Sequence, residues 1–127
     1  MNRCGWALML VAMNGPAAAE WVVVNDHAEY VAYADPATIA RNGDVARMRD
    51  LIDLKLPRRS PYGVAHLSSR AHSEFDCLAP RVRTIAFALH AGSMGDGEVV
   101  EEVSPARGWM PVFNGTLLEM LRRFACN

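Results

Sequence analysis

The stretch from Val64 to Cys77 alternates with a period of two. Leu67, Ala71, Phe75 and Cys77 fall on one parity, and His66, Ser68, Arg70, His72, Glu74 and Asp76 fall on the other. Successive strand residues point to opposite faces of a sheet, so the stretch predicts a strand with one apolar and one polar face. Cys77 belongs to the apolar side. Other short runs rich in β-branched and aromatic residues lie at Trp21–Val24, Tyr30–Ala34, Val45–Leu54, Val82–Ala91 and Glu98–Val103, with turn residues between them. This spacing predicts a mostly antiparallel sheet.

Local signals refine the connections. Asn42-Gly43 predicts a type I′ hairpin, because both central positions of that turn need positive φ and Asn and Gly tolerate it best. In Asp35-Pro36-Ala37-Thr38-Ile39 a capping carboxylate precedes a proline at a first helical position, which predicts a single helical turn. The pattern turns helical in earnest only near the C-terminus. Thr116 and Glu119 form a capping-box signature, Leu117, Leu118, Leu121 and Phe124 form an apolar stripe, and Arg122 and Arg123 sit where the helix dipole favours cations. A helix of about ten residues is marginal alone, so it must pack on the sheet. The expected fold class is α+β: a single antiparallel β-sheet of about six strands with a C-terminal α-helix packed on it and tethered by a disulfide.

The N-terminus has a different character. Arg3 gives a positive start, Cys4 to Met13 is mostly apolar, and Ala17-Ala18-Ala19 offers a cleavage site before Glu20. Residues 1–19 are therefore expected to be a signal peptide and residues 20–127 the mature domain. The apolar run breaks at Asn14-Gly15-Pro16, well short of the roughly 20 residues of a membrane span. No transmembrane segment is expected, and Cys4 lacks the small-residue lipobox of a lipid attachment site. The protein is expected in the periplasm of a Gram-negative cell or outside it.

Export decides the reading of the cysteines. With Cys4 removed, Cys77 and Cys126 are the only two left, and an oxidising compartment favours a structural bond between them. A redox or metal site would need clustering such as C-x-x-C, which the sequence lacks. Closing a loop of about fifty residues stabilises by on the order of 4 kcal/mol in the chain-entropy treatment. Composition excludes one partner class: without Arg3, 12 of the 13 basic residues stand against 14 acidic ones, so there is no electrostatic footprint for nucleic acid.

Four histidines raise the question of chemistry. His66 and His72 lie on one strand face six residues apart, roughly 20 Å at the usual rise, and cannot share an ion. His27 and His90 would each need a cross-strand partner. H-E-x-x-H, C-x-x-C-H and G-x-S-x-G are absent. Asp50 with Asp53, and Asp76 beside Cys77, point to opposite faces and make poor acid–base pairs. The run Ala91–Gly97 lacks the Lys of a phosphate loop and leads into the β-rich Glu98-Val99-Val100, so it predicts a hairpin loop. Asn114-Gly115-Thr116 matches a glycosylation acceptor, but capping by Thr116 explains it. No catalytic residue, metal ligand or cofactor is assigned.

Taken in order, Trp21, Tyr33-Ala34-Asp35-Pro36-Ala37-Thr38-Ile39, Asn42-Gly43, Leu51-Ile52-Asp53, Glu74-Phe75-Asp76-Cys77 with Arg83, Met94-Gly95-Asp96-Gly97, Trp109 and a terminal helix ending in Cys126 resemble the surface-adhesin protein E family of Gram-negative bacteria. The resemblance spans essentially the whole mature chain. It implies an antiparallel sheet with a C-terminal helix held by a disulfide, and a binding role, since the best-known member is a surface lipoprotein that binds host matrix and serum proteins and has been linked to haem. Arg49 departs from the aromatic residue expected in the third strand. The expected function is an exported, non-enzymatic binding module of the envelope, using the outer sheet face or loops on a protein ligand in the envelope or outside the cell. The alternative is a small periplasmic hydrolase or metal-dependent enzyme using His66, His72 or His90. Two histidines and a carboxylate converging within about 4 Å of one point would mark it.

Overall fold

The computed structural model describes residues 19–104 and 108–127. The signal peptide expected at residues 1–19 lies, apart from Ala19, outside the described residues. Strands β1 (Val22–Asp26), β2 (Tyr30–Asn42), β3 (Val45–Arg59), β4 (Ala65–Asp76), β5 (Arg81–His90) and β6 (Val99–Val103) follow one another across one antiparallel sheet in chain order. A two-residue strand β7 (Met110–Pro111) adds to β5, and helix α1 (Leu117–Cys126) closes the chain. Every neighbour in the sheet from β1 to β6 is a neighbour in sequence, so local alternation and short turns suffice to build it. Among the described residues no helix is long and apolar enough to cross a membrane.

The apolar parity predicted for β4 is the core face. Ala46 stands opposite Phe75, which in turn stands opposite Val82, and Met48 stands opposite Ser73. These residues and Ala34 are buried, and Val112, Leu121 and Ala125 pack on them. The helix meets the sheet through Leu117, Leu121, Phe124 and Ala125, while Leu118 is turned aside and 37 % exposed. The stripe thus runs one position differently from the sequence reading. Thr116 Oγ1 accepts the Glu119 N–H at 3.3 Å, and Glu119 Oε1 accepts the Gly115 N–H at 2.8 Å. The predicted capping box is reciprocated one residue upstream of the cap. Cys77 and Cys126 are joined by a disulfide, which ties the last helical residue to the end of β4.

Two local expectations fail, each for a visible reason. Asp35–Ile39 forms no helical turn. Asp35 Oδ1 does accept the Ala37 N–H at 3.1 Å, yet the chain bulges and resumes pairing at Ala40, so that residues 36–39 stand opposite the single residue Met48. Pro36, which has no N–H to offer a ladder, falls inside that unpaired segment. At the β2–β3 hairpin Asn42 pairs with Val45, so the loop is Gly43-Asp44 and only Gly43 takes a positive φ, of 62°. A type I′ turn centred on Asn42-Gly43 is therefore not adopted. The predicted hairpin at 91–97 is present as a tight turn, with the Ala91 N–H donating to the Glu98 carbonyl at 3.0 Å.

Candidate functional site

The face opposite the helix carries an ordered array of charge that follows from the pairing register. In one cross-strand row, Glu74 lies between Arg47 and Arg83, accepting from Arg47 Nη2 at 2.8 Å and from Arg83 Nη2 at 2.7 Å. In the next row toward the chain ends, Asp76 pairs with Arg81 at 2.8 Å. Trp109 covers both arginines, with the Arg81 and Arg83 guanidinium carbons 4.6 and 4.4 Å from its ring centre. These groups are mutually satisfied.

The rows on the other side of Glu74 are built differently. One runs Asp35, Arg49, His72, Ala86, and the following one runs Tyr33, Leu51, Arg70, Ala88, Glu102. Here no carboxylate separates the cations. A cleft of about 680 Å³ opens over them, lined among others by Trp21, Asp35, Thr38, Arg49, Arg70, His72, His90 and Glu102, with Ala86 and Ala88 between the cationic wall and Glu102.

The turn at 93–95 closes one end of this face. Asp53 Oδ1 accepts the Met94 N–H at 2.7 Å, and the fully buried Ser68 accepts the Gly95 N–H at 2.8 Å while donating to the Gly92 carbonyl at 2.6 Å. Gly95 has φ 71°, and a Cβ there would strike the Arg70 guanidinium. The glycine is required both by the turn and by the side chain lying against it. On its other side Arg70 faces Trp21, whose ring centre is 6.0 Å away.

Burial first, and then the neighbouring Arg49 and Arg47, lower the pKa of His72, against a smaller opposing pull from Glu74. Hydrogen bonds from Arg47 and Arg83 hold Glu74 below the usual carboxylate range. Asp76 is lowered to about 2 by the Ala79 N–H, Arg81 and the Leu78 N–H. Asp50, buried in the sheet beside the cleft, is pushed up to about 7 by desolvation.

The sequence pattern of the surface-adhesin protein E family matches residues 21–127. This chain belongs to the surface-adhesin protein E family. Its fold is similar to that of protein E of Haemophilus influenzae. One crystal form superposes with a TM-score of 0.60 at 12 % identity, covering 87 % of this chain and 96 % of that one. A second structure gives 0.55 at 13 % identity, covering 81 % and 87 %. Protein E from a non-typeable strain gives 0.51 at 12 % identity, covering 84 % and 83 %. No curated protein matches. At these identities the structural likeness establishes the fold.

Within the family fold the histidines separate. His66 lies outside the cleft, its Nδ1 3.4 Å from the Val64 carbonyl. His27 Nδ1 accepts the Glu29 N–H at 3.0 Å, and the ring stacks on Tyr30. His72 and His90 both line the cleft, two rows apart on neighbouring strands. Among the described residues no three His, Cys, Asp or Glu side chains are placed to hold a metal ion. Asp50 and Asp53 occupy opposite faces by alternation, and Asp53 serves the 93–95 turn. The sequence reading missed Trp21 and Arg70 as site residues. The only signals were the polar parity of Arg70 and the unexpected Arg49.

Proposed function

We propose that this chain is an exported, non-enzymatic binding module of the bacterial envelope. The signal peptide 1–19 is removed before Glu20, and domain 20–127 works in the periplasm or outside the cell on a protein ligand. The observation that carries this reading is the family match, which begins at residue 21, one residue after the proposed mature terminus, and runs to residue 127. The sheet supports it physically: the helix packs on one face, and the other presents a charged array whose ion pairs are partly exposed, as a polar contact surface would. The test is capture. Immobilised domain 20–127 is expected to retain a defined protein from envelope extract or from host matrix and serum fractions, saturably, and Arg47→Glu on the array is expected to weaken it. Loss of all saturable capture, or equal capture by the Arg47→Glu variant, would contradict the proposal. Protein starting at Met1 in a periplasmic fraction would contradict export with cleavage.

A further inference from the structure

Among the described residues, arginine side chains are, with two exceptions, engaged. Arg47, Arg58, Arg81, Arg83 and Arg123 pair with carboxylates. Arg41, Arg59 and Arg122 donate to backbone carbonyls. Among the described residues only Arg49 and Arg70 do neither, and both line the same cleft. That coincidence follows from register. Arg49 stands opposite His72 and Arg70 opposite Leu51, so the two arginines are diagonal neighbours, roughly 7–8 Å apart at the backbone and within reach of one shared group.

We infer that the cleft is a binding site for a small organic anion, its oxyanion held between the guanidinium groups of Arg49 and Arg70 and its apolar body laid over Ala86 and Ala88. Guanidinium forks match carboxylate, sulfonate and phosphate oxygens, and Arg70 lies against Gly95 with its guanidinium carbon 6.0 Å from the Trp21 ring centre, contacts that take up none of its donors. The alanines leave the floor open where larger side chains would fill it. About 680 Å³ falls in the range of small-molecule sites. Among the described residues no carboxylate lies within ion-pairing distance of Arg49 or Arg70. Asp35 accepts the Ala37 N–H, and Glu102 stands across the alanine floor from Arg70, with Ala88 between them in the row. A site of this kind goes beyond protein capture and stands apart from it: a small anion can bind whether or not a protein partner exists.

His72, opposite Arg49, is the built-in reporter. Its surroundings are Arg49 and Arg47 on β3, Arg70 and Glu74 on β4, His90 on β5, Asp35 on β2, Glu102 on β6, and the buried Asp50. Burial and the two arginines lower its pKa in the free cleft. A bound anion offsets that cationic field, raises the pKa of His72, and therefore binds more tightly as pH falls.

The experiment is NMR titration of domain 20–127 with 2-naphthoate and with acetate, following the His72 ring and the Arg side chains. Naphthoate is expected to saturate, to bind at least about tenfold more tightly than acetate, and to raise the His72 titration midpoint. Arg49→Gln and Arg70→Gln are expected each to weaken it about tenfold or more with unchanged melting, while Arg58→Gln binds as the parent does. Absence of a saturable shift up to about 10 mM overturns the site, as does parent-like binding by both the Arg49 and Arg70 variants. Equal affinity for acetate and naphthoate overturns the organic body and leaves a bare anion site. Because the readout uses no protein partner, its failure is separable from a failed capture experiment.

Discussion

The hydroxyl of Thr38 accepts the backbone N–H of Arg49 at 3.0 Å while donating to the Asp35 carbonyl at 2.7 Å. Four residues of β2 bulge past Met48 here, and the ladder cannot supply Arg49 with a carbonyl. One side chain replaces the missing backbone partner. The bulge is therefore closed on itself, and Arg49, paired beside it with Asp35, lines the cleft. Thr38→Val keeps the shape and removes both bonds, at an expected cost of about 1–3 kcal/mol, and the Arg49 amide should lose protection from hydrogen exchange. Thr38→Ser should restore most of both. Unchanged Arg49 exchange in the valine variant would refute this role.

Much of the fold was legible because its signals are local. Phe75 and Cys77 share a parity, Thr116 and Glu119 announce a helix start, and consecutive strands pair in chain order, so alternation and turn chemistry suffice. Pro36 misled because a proline after a capping aspartate is equally suited to a bulge, and only the partner strand decides between them. Asn42-Gly43 misled by one residue because β2 extends to Asn42, leaving Gly43-Asp44 to turn. The cleft was largely illegible. Arg49, Arg70, Ala86 and Ala88 come together through the register of three strands, including a bulge at Ile85 of β5 opposite the His72–Ser73 step. A one-residue slip would send half of them to the core face.

Burial of Asp50 makes the stability of the fold depend on pH. Its carboxyl is raised from an ordinary 3.8 to about 7 by burial, so between those values the folded chain holds a proton the unfolded chain has lost. Stability is full below about 4 and declines as pH rises through 7, by on the order of 2–4 kcal/mol. Asp76, lowered to about 2, and Glu74, also lowered, act oppositely and only in acid. The depressed His72 works against Asp50 below 6.5 but is partly exposed. Urea unfolding is expected to show the parent less stable at pH 8 than at pH 5. Asp50→Asn should remove most of that difference, and a parent more stable at pH 8 would show that Asp50 ionises freely.

Ser68 is fully buried and joins the 92–97 loop to the sheet through its two hydrogen bonds. Ser68→Ala strands the Gly95 N–H and the Gly92 carbonyl, for an expected loss of about 2–3 kcal/mol. The loosening should be local, with faster exchange at Gly95 and greater motion of the Arg70 side chain packed against that glycine. A variant that loses stability evenly, with Gly95 still protected, would assign the loop's order to Asp53 and Met94.

The Cys77–Cys126 bond joins residues 49 apart, and a loop of that length corresponds to about 4 kcal/mol in the chain-entropy treatment. Its position matters as much as its length. Cys126 ends a helix of 10 residues, too short to persist on its own, and that helix reaches the sheet chiefly through Leu121 and Ala125. Cys126→Ser should therefore lower the melting temperature clearly and fray α1 first, leaving β2 to β5 paired. Non-reduced digests of periplasmic protein should contain the linked peptides. Hydrogen exchange separates the outcomes: early loss of α1 amides with protected β3 and β4 amides is expected. A serine variant that melts with the parent would mean that packing of Leu121 alone holds the helix.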